Sequence, residues 1–100
     1  MNNEHVFDMD AMRFRNAGGR ITILDILIGL QLQQARKQND LSQAELGKAI
    51  GLSYQQIQKY ETGQNRIAAS TLLLCSIRTQ TTIEFFFETA RERLNTKSTG

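Results

Sequence analysis

The chain has no proline and no tryptophan, one histidine (His5) and one cysteine (Cys75) among its 100 residues. A lone cysteine excludes an internal disulfide and a cysteine-rich metal cage, and it fits a reducing cytoplasm. His5 and Cys75 have no partner in sequence for a metal site or a nucleophile–base pair. An enzyme is therefore not expected, nor a metal or any other cofactor. The missing proline and the absence of strand-like alternation favour helix throughout. No apolar run approaches the roughly 18 residues that a membrane span needs. The opening MNNEHVFDMD is acidic, where a secretory signal is basic and then apolar. These absences predict a cytoplasmic protein that does not engage membranes. Charge of one sign is scarce as well: 12 Lys and Arg against 10 Asp and Glu leave a net charge of +2. That balance does not by itself point to nucleic acid, for which local placement matters more than the total.

Against that background one stretch stands out, Leu41 to Glu61, which reads LSQAELGKAIGLSYQQIQKYE. Ser42 followed by Glu45 has capping-box spacing, in which each side chain satisfies a free backbone N–H at a helix start. Ser53 followed by Gln56 repeats it, so two short helices are predicted, at about 43–50 and 54–62. Between them Gly51 can take the left-handed backbone angle that ends the first helix and turns the chain. Gly47, costly inside a helix by roughly 1 kcal/mol against alanine, is expected to let the second helix cross closely. Leu46, Ile50, Leu52, Ile57 and Tyr60 are predicted to share one core. The unit is a helix-turn-helix.

The segment resembles the repressor-type helix-turn-helix family of phage repressors and the wider Cro/C1-like, xenobiotic-response-element group of bacterial regulators. Ile28-Gly29, Leu32, Arg36, Leu41-Ser42-Gln43, Glu45-Leu46, Gly51, Ile57, Tyr60-Glu61 and Gly63 all carry matching residue types. The similarity covers about Asp25 to Phe87. It implies an all-α, compact four- to five-helix bundle of the lambda-repressor-like DNA-binding type. It also implies that Arg36 and Glu61 pair across helices one and three, and that Gln43 contacts DNA phosphate. Near the end of helix four the family carries leucine, glycine and a branched aliphatic residue. This chain has Thr79, Gln80 and Thr81 there, with Leu72, Leu73, Leu74 and Ile77 crowding the earlier turns. A rotated or shortened helix, or a partner on that face, would account for the departure.

The predicted organisation is a tail or arm over 1–21, a DNA-binding domain over 22–94 and a polar tail over 95–100. Three readings of the first segment stand: a tail with no DNA role, an arm whose Arg13, Arg15 and Arg20 reach DNA, and packing of Phe7, Met9, Met12 and Phe14 on a second subunit. Helix one is predicted from about Thr22 to Gln38, with Leu24, Ile28, Leu32 and Ala35 as its buried stripe. Gly63 to Arg66 form an exposed loop, and Ile67 returns to the core. Ser70 is a plausible N-cap for helix four. Thr81 with Glu84 has box spacing for helix five, whose stripe is Ile83, Phe86, Phe87, Ala90 and Leu94. Phe85 falls outside that stripe and, with Leu73, Leu74 and Ile77, forms a candidate patch for a dimer or a partner.

In helix three, Ile57, Tyr60 and Glu61 set the inward direction, which turns Tyr54, Gln55, Gln58 and Lys59 outward. A major groove admits one helix, whose first residues reach base edges. Glutamine reads adenine in a bidentate manner and lysine donates to guanine or phosphate, so these four are the expected base readers. Gln43, Ser53, Gln64, Asn65 and Arg66 surround them as candidate phosphate contacts. The expected function is a sequence-specific transcriptional regulator, a repressor binding a palindromic operator in double-stranded DNA as a homodimer. The alternative is an interaction module, such as an antitoxin that binds a toxin.

Overall fold

The computed structural model describes residues 21–95. His5 and the arm candidates Phe7, Met9, Met12, Phe14, Arg13, Arg15 and Arg20 lie outside the described residues, as does the polar tail beyond Asn95. Within them run α1 (Ile23–Gln38), α2 (Gln43–Ile50), α3 (Tyr54–Glu61), α4 (Ala69–Thr79) and α5 (Ile83–Asn95), and no strand.

Local signals explain most of the ends. Thr22 and Asp25 form a reciprocal capping box on α1, with Thr22 N donating to Asp25 Oδ2 at 2.8 Å. Ser42 and Glu45 form the second, at 2.9 and 2.8 Å. The Ser42 amide, and then its hydroxyl, hold the Glu45 carboxyl below the usual glutamate range. At α3 the expected box is only half made. Ser53 Oγ accepts from Gln56 N at 3.1 Å, but the Gln56 side chain donates instead to Asn65 Oδ1 at 3.2 Å. Two starts differ from expectation. α4 begins at Ala69 with Ala68, not Ser70, in the capping position and no side-chain cap, because Leu72 N already bonds to Ala68 O. At α5 the hydroxyl that accepts from Phe85 N is Thr82, one residue after the expected Thr81.

Gly51 takes φ +81° and ends α2 as expected. Gly47 has a different use from the one expected. A Cβ there would strike the backbone oxygen of Leu52, so the close neighbour is the turn rather than the following helix.

The core gathers Leu32 and Ala35 of α1, Leu46 of α2, Ile57 and Tyr60 of α3, Leu72 and Cys75 of α4 and Phe86 of α5. Ile28, Ile50, Leu52, Ile67, Ile83 and Phe87 close over it, half-buried. Each large side chain removed from water contributes about 1.5–3 kcal/mol. Burial pushes the Cys75 thiol up to about 11, with the Glu61 carboxylate adding to the effect, so this cysteine packs as a small apolar residue.

α4 runs to Thr79 and buries a regular face of Leu72, Cys75, Ser76 and Thr79. The three residues that depart from the family pattern have a local solution. Thr79 Oγ1 donates to Cys75 O at 2.7 Å and lies 2.9 Å from the Thr81 hydroxyl, while Gln80 adopts φ +58°. A non-glycine residue in that conformation costs about 1–2 kcal/mol, part of which a glycine returns as unfolded-chain entropy. Gln80→Gly is therefore expected to stabilise the fold by about 1 kcal/mol. Urea unfolding would show it as a raised midpoint with an unchanged slope.

Phe85 is the one member of the expected patch that the fold withdraws. α5 packs chiefly along α1, and Gln31 Nε2 donates to Phe85 O at 2.7 Å. The Phe85 ring meets Phe86 edge-to-face at 6.0 Å and packs half-buried against the core. Leu73, Leu74 and Ile77 remain 51, 46 and 66% exposed.

Candidate nucleic-acid interface

α3 has eight residues, and its burial pattern divides it cleanly. Ile57, Tyr60 and Glu61 are buried. Tyr54, Gln55, Gln58 and Lys59 are exposed, and Ser53 lies beside them at the helix start. The outward face thus carries amides, a phenol and an ammonium, and the helix's one acid points inward.

That acid is held by a network. Arg36 Nε donates to Glu61 Oε2 at 2.6 Å and Arg36 Nη2 to Glu61 Oε1 at 3.0 Å. Gln43 Nε2 and Gln33 Nε2 donate to the same Oε1 at 3.0 and 3.4 Å. Arg36 Nη1 reaches across to Leu41 O at 2.7 Å. The Glu61 side chain is fully buried and that of Arg36 is 9% exposed. Buried charges hold only when paired and hydrogen-bonded, and this pair is both. It ties α1, the start of α2 and the end of α3 together, which fixes the direction in which α3 projects. Gln43 therefore has a structural bond that the sequence did not indicate; its half-buried amide is positioned by Glu61 at the N-terminus of α2.

Beyond α3 the chain folds back. Gln64 N and Asn65 N both donate to Lys59 O, at 2.9 and 3.3 Å, and Gly63 takes φ +78°. Gly63 itself is buried, a Cβ there meeting Ile26, so the exposed part of the loop is Gln64, Asn65 and Arg66. The turn brings Gln64 and Asn65 to the Lys59 end of the helix. Gln56 secures it through its bond to Asn65. Arg66 Nε lies 3.2 Å from Asp25 Oδ2, which anchors the loop's cation to the first turn of α1. Exposed ion pairs of this kind contribute at most about 1 kcal/mol.

Gln33 and Asp25 were not singled out from sequence, and Gln56 was singled out only as a capping residue of its own helix. Gln33 and Gln56 carry no local sign of their partners, which lie 28 and 9 residues away. Asp25 did carry one: Thr22 and Asp25 have the same box spacing as Ser42 and Glu45.

The arrangement is a surface helix mounted on a buried ion-pair network. No group of three or more His, Cys, Asp or Glu among the described residues could hold a metal ion, and no described helix is long and apolar enough to cross a membrane. What it presents is a short helix with a donor-rich outward face, fixed in direction by the Arg36–Glu61 pair, with Arg66 in the loop beside it.

Comparison with known proteins agrees with that geometry. A family model described as helix-turn-helix matches residues 32–86. The uncharacterized HTH-type transcriptional regulator y4aM of Sinorhizobium fredii is 43% identical over 65 residues, covering 65% of this chain and 46% of that protein. The chain thus spans about half the length of the curated relatives it matches. Among solved structures, the restriction-modification controller protein C.AhdI of Aeromonas hydrophila superposes with a TM-score of 0.59 at 22% identity, over 62% of this chain and 94% of that one. The P22 c2 repressor, solved in complex with a synthetic operator, superposes with a TM-score of 0.56 at 26% identity, over 61 and 92%. The fold is lambda-repressor-like, and this chain belongs to the Cro/C1-like, xenobiotic-response-element helix-turn-helix family of transcriptional regulators.

Proposed function

We propose that this chain is a sequence-specific DNA-binding regulator, a repressor that binds a palindromic operator as a homodimer with α3 in the major groove. One observation carries the reading: the exposed face of α3 presents Tyr54, Gln55, Gln58 and Lys59 while its only acid is buried against Arg36. Gln55, near the helix N-terminus, reads adenine, and Lys59 takes guanine or phosphate. Tyr54 and Gln58 lie beside them as further base contacts. Gln43, Ser53, Gln64, Asn65 and Arg66 hold the backbone on either side, supported by the positive ends of α2 and α3.

A single eight-residue reader with so few cations discriminates poorly alone. Two copies on half-sites about 34 Å apart would supply the missing affinity. Leu73, Leu74 and Ile77 form the apolar surface proposed for the second copy. The same patch favours one other reading, an interaction module such as an antitoxin that buries it against a toxin. Dimerisation that is abolished by Ile77→Asp supports the first assignment, and a purely monomeric chain favours the second.

The test is selection from a random duplex library with the wild type and with Gln55→Ala/Lys59→Ala. A palindrome is expected to be enriched by the wild type and lost with the double variant. Arg66→Ala is expected to weaken all duplexes alike and to reduce the salt slope by about one. A folded wild type that enriches nothing overturns the DNA reading.

A further inference from the structure

An apolar cavity of about 280 Å³ lies away from α3, between α1, the start of α4 and α5. Its walls are Ile28, Ile67, Leu72, Ile83 and Phe87, and among the described residues its one charged wall residue is Asp25. Asp25 is unevenly used. Its Oδ2 accepts from Thr22 N, Thr22 Oγ1 and Arg66 Nε, at 2.8, 3.1 and 3.2 Å. Its Oδ1 accepts no hydrogen bond from the described residues. An engineered apolar cavity of about 150 Å³ holds benzene, so this one has room for a larger hydrocarbon body. Ligand sites typically combine such walls with a few polar groups that fix orientation. Here the polar group is a carboxylate with an acceptor oxygen to spare.

We propose that this cavity binds a small amphiphilic amine, with its hydrocarbon body against Ile28, Leu72, Ile83 and Phe87 and its ammonium on Asp25. The acceptor oxygen selects the head group: an ammonium donates to it in a charge-assisted bond, a hydroxyl donates more weakly, and a carboxylate has no proton to donate. The same Asp25 anchors Arg66 in the loop beside α3. Occupation of the cavity therefore acts on a proposed DNA contact. That regulatory consequence rests on the function proposed above; the binding itself does not.

The experiment uses three probes with one tail and different heads: octylammonium, octanol and octanoate. Each is titrated into the full chain without DNA, with the methyl resonances of Ile28, Ile67, Leu72 and Ile83 as readout. Octylammonium is expected to give saturable shifts confined to these residues and to bind about tenfold or more tightly than octanol. Asp25→Asn is expected to lower octylammonium to the octanol level. Because Asp25 also caps α1, a second variant is needed. Ala69→Phe, at an exposed helix start on the cavity wall, is expected to abolish both while the helical circular dichroism is retained. Equal affinity for the three probes, tighter binding of octanoate, or no saturable shift overturns the proposal. None of these outcomes depends on whether the chain binds DNA.

Discussion

Arg36→Ala is expected to destabilise the fold by about 3–5 kcal/mol, because it leaves the Glu61 carboxylate buried without its cation. Small domains have about 5–15 kcal/mol in total, so the variant loses a large part of its stability. Its melting temperature should fall by roughly 15 °C or more. The two amides of Gln33 and Gln43 would remain on Oε1, but neutral donors do not replace a bidentate guanidinium. Replacing both partners, as in Arg36→Met with Glu61→Leu, is expected to recover part of the loss, since an apolar pair of similar volume avoids the desolvation of two ions. Recovery should be incomplete, because Gln33, Gln43 and the Leu41 carbonyl each lose a partner. Equilibrium urea unfolding of the two variants beside the wild type measures this. A loss below about 1 kcal/mol for Arg36→Ala would mean that the pair behaves as a surface salt bridge.

Gly29→Ala carries the second large effect, with a sign opposite to the usual one. In an open helix interior the change stabilises by about 1 kcal/mol. Here α1 rests directly on the backbone of α3. An added Cβ would overlap the Tyr60 carbonyl oxygen and come within 3.2 Å of the Glu61 carbonyl. Tyr60 O also accepts from Gly63 N at 3.1 Å, which limits its freedom to move aside. The helices must separate, at a net cost of about 2 kcal/mol or more, and the orientation of α3 shifts with them. Thermal unfolding and binding to a selected duplex should therefore deteriorate together. A Gly29→Ala variant more stable than the wild type would show that α1 does not sit so closely on α3.

Much of this architecture was legible because its signals are local. The Ser42–Glu45 box and Gly51 lie within one helix-turn unit, and their geometry depends on little outside it. The inward direction of α3 follows from Ile57, Tyr60 and Glu61 at helical spacing. Ser53 with Gln56 shows the limit of such reading. The spacing is right, but a residue outside the helix, Asn65, offers the amide a competing partner. Ser70 misled for a related reason: its hydroxyl is suited to a cap, yet Ala68 holds the capping position through its backbone alone. Phe85 was misplaced because α5 lies along α1 and is covered on a wider arc than one stripe describes. The bond from Gln31 to Phe85 O spans 54 residues and the pair of Arg66 with Asp25 spans 41; no periodicity encodes either. Arg36 and Glu61 were legible as a pair only through resemblance, whereas the two glutamines that complete their network were not legible at all.

The length of α3 has a consequence for how the protein is controlled. A free helix of eight residues falls well short of the roughly 12–15 that can persist in water. The proposed reader therefore has no existence apart from the cooperative core, and on that proposal folding and recognition share one equilibrium. Any duplex that binds the native state would raise the apparent stability by mass action, by about 2.7 kcal/mol at a hundredfold excess over Kd. The chain without DNA opens more often, and opening is what exposes it to proteases. Occupied operator would then protect the regulator that occupies it, so that turnover falls on molecules with no site to bind.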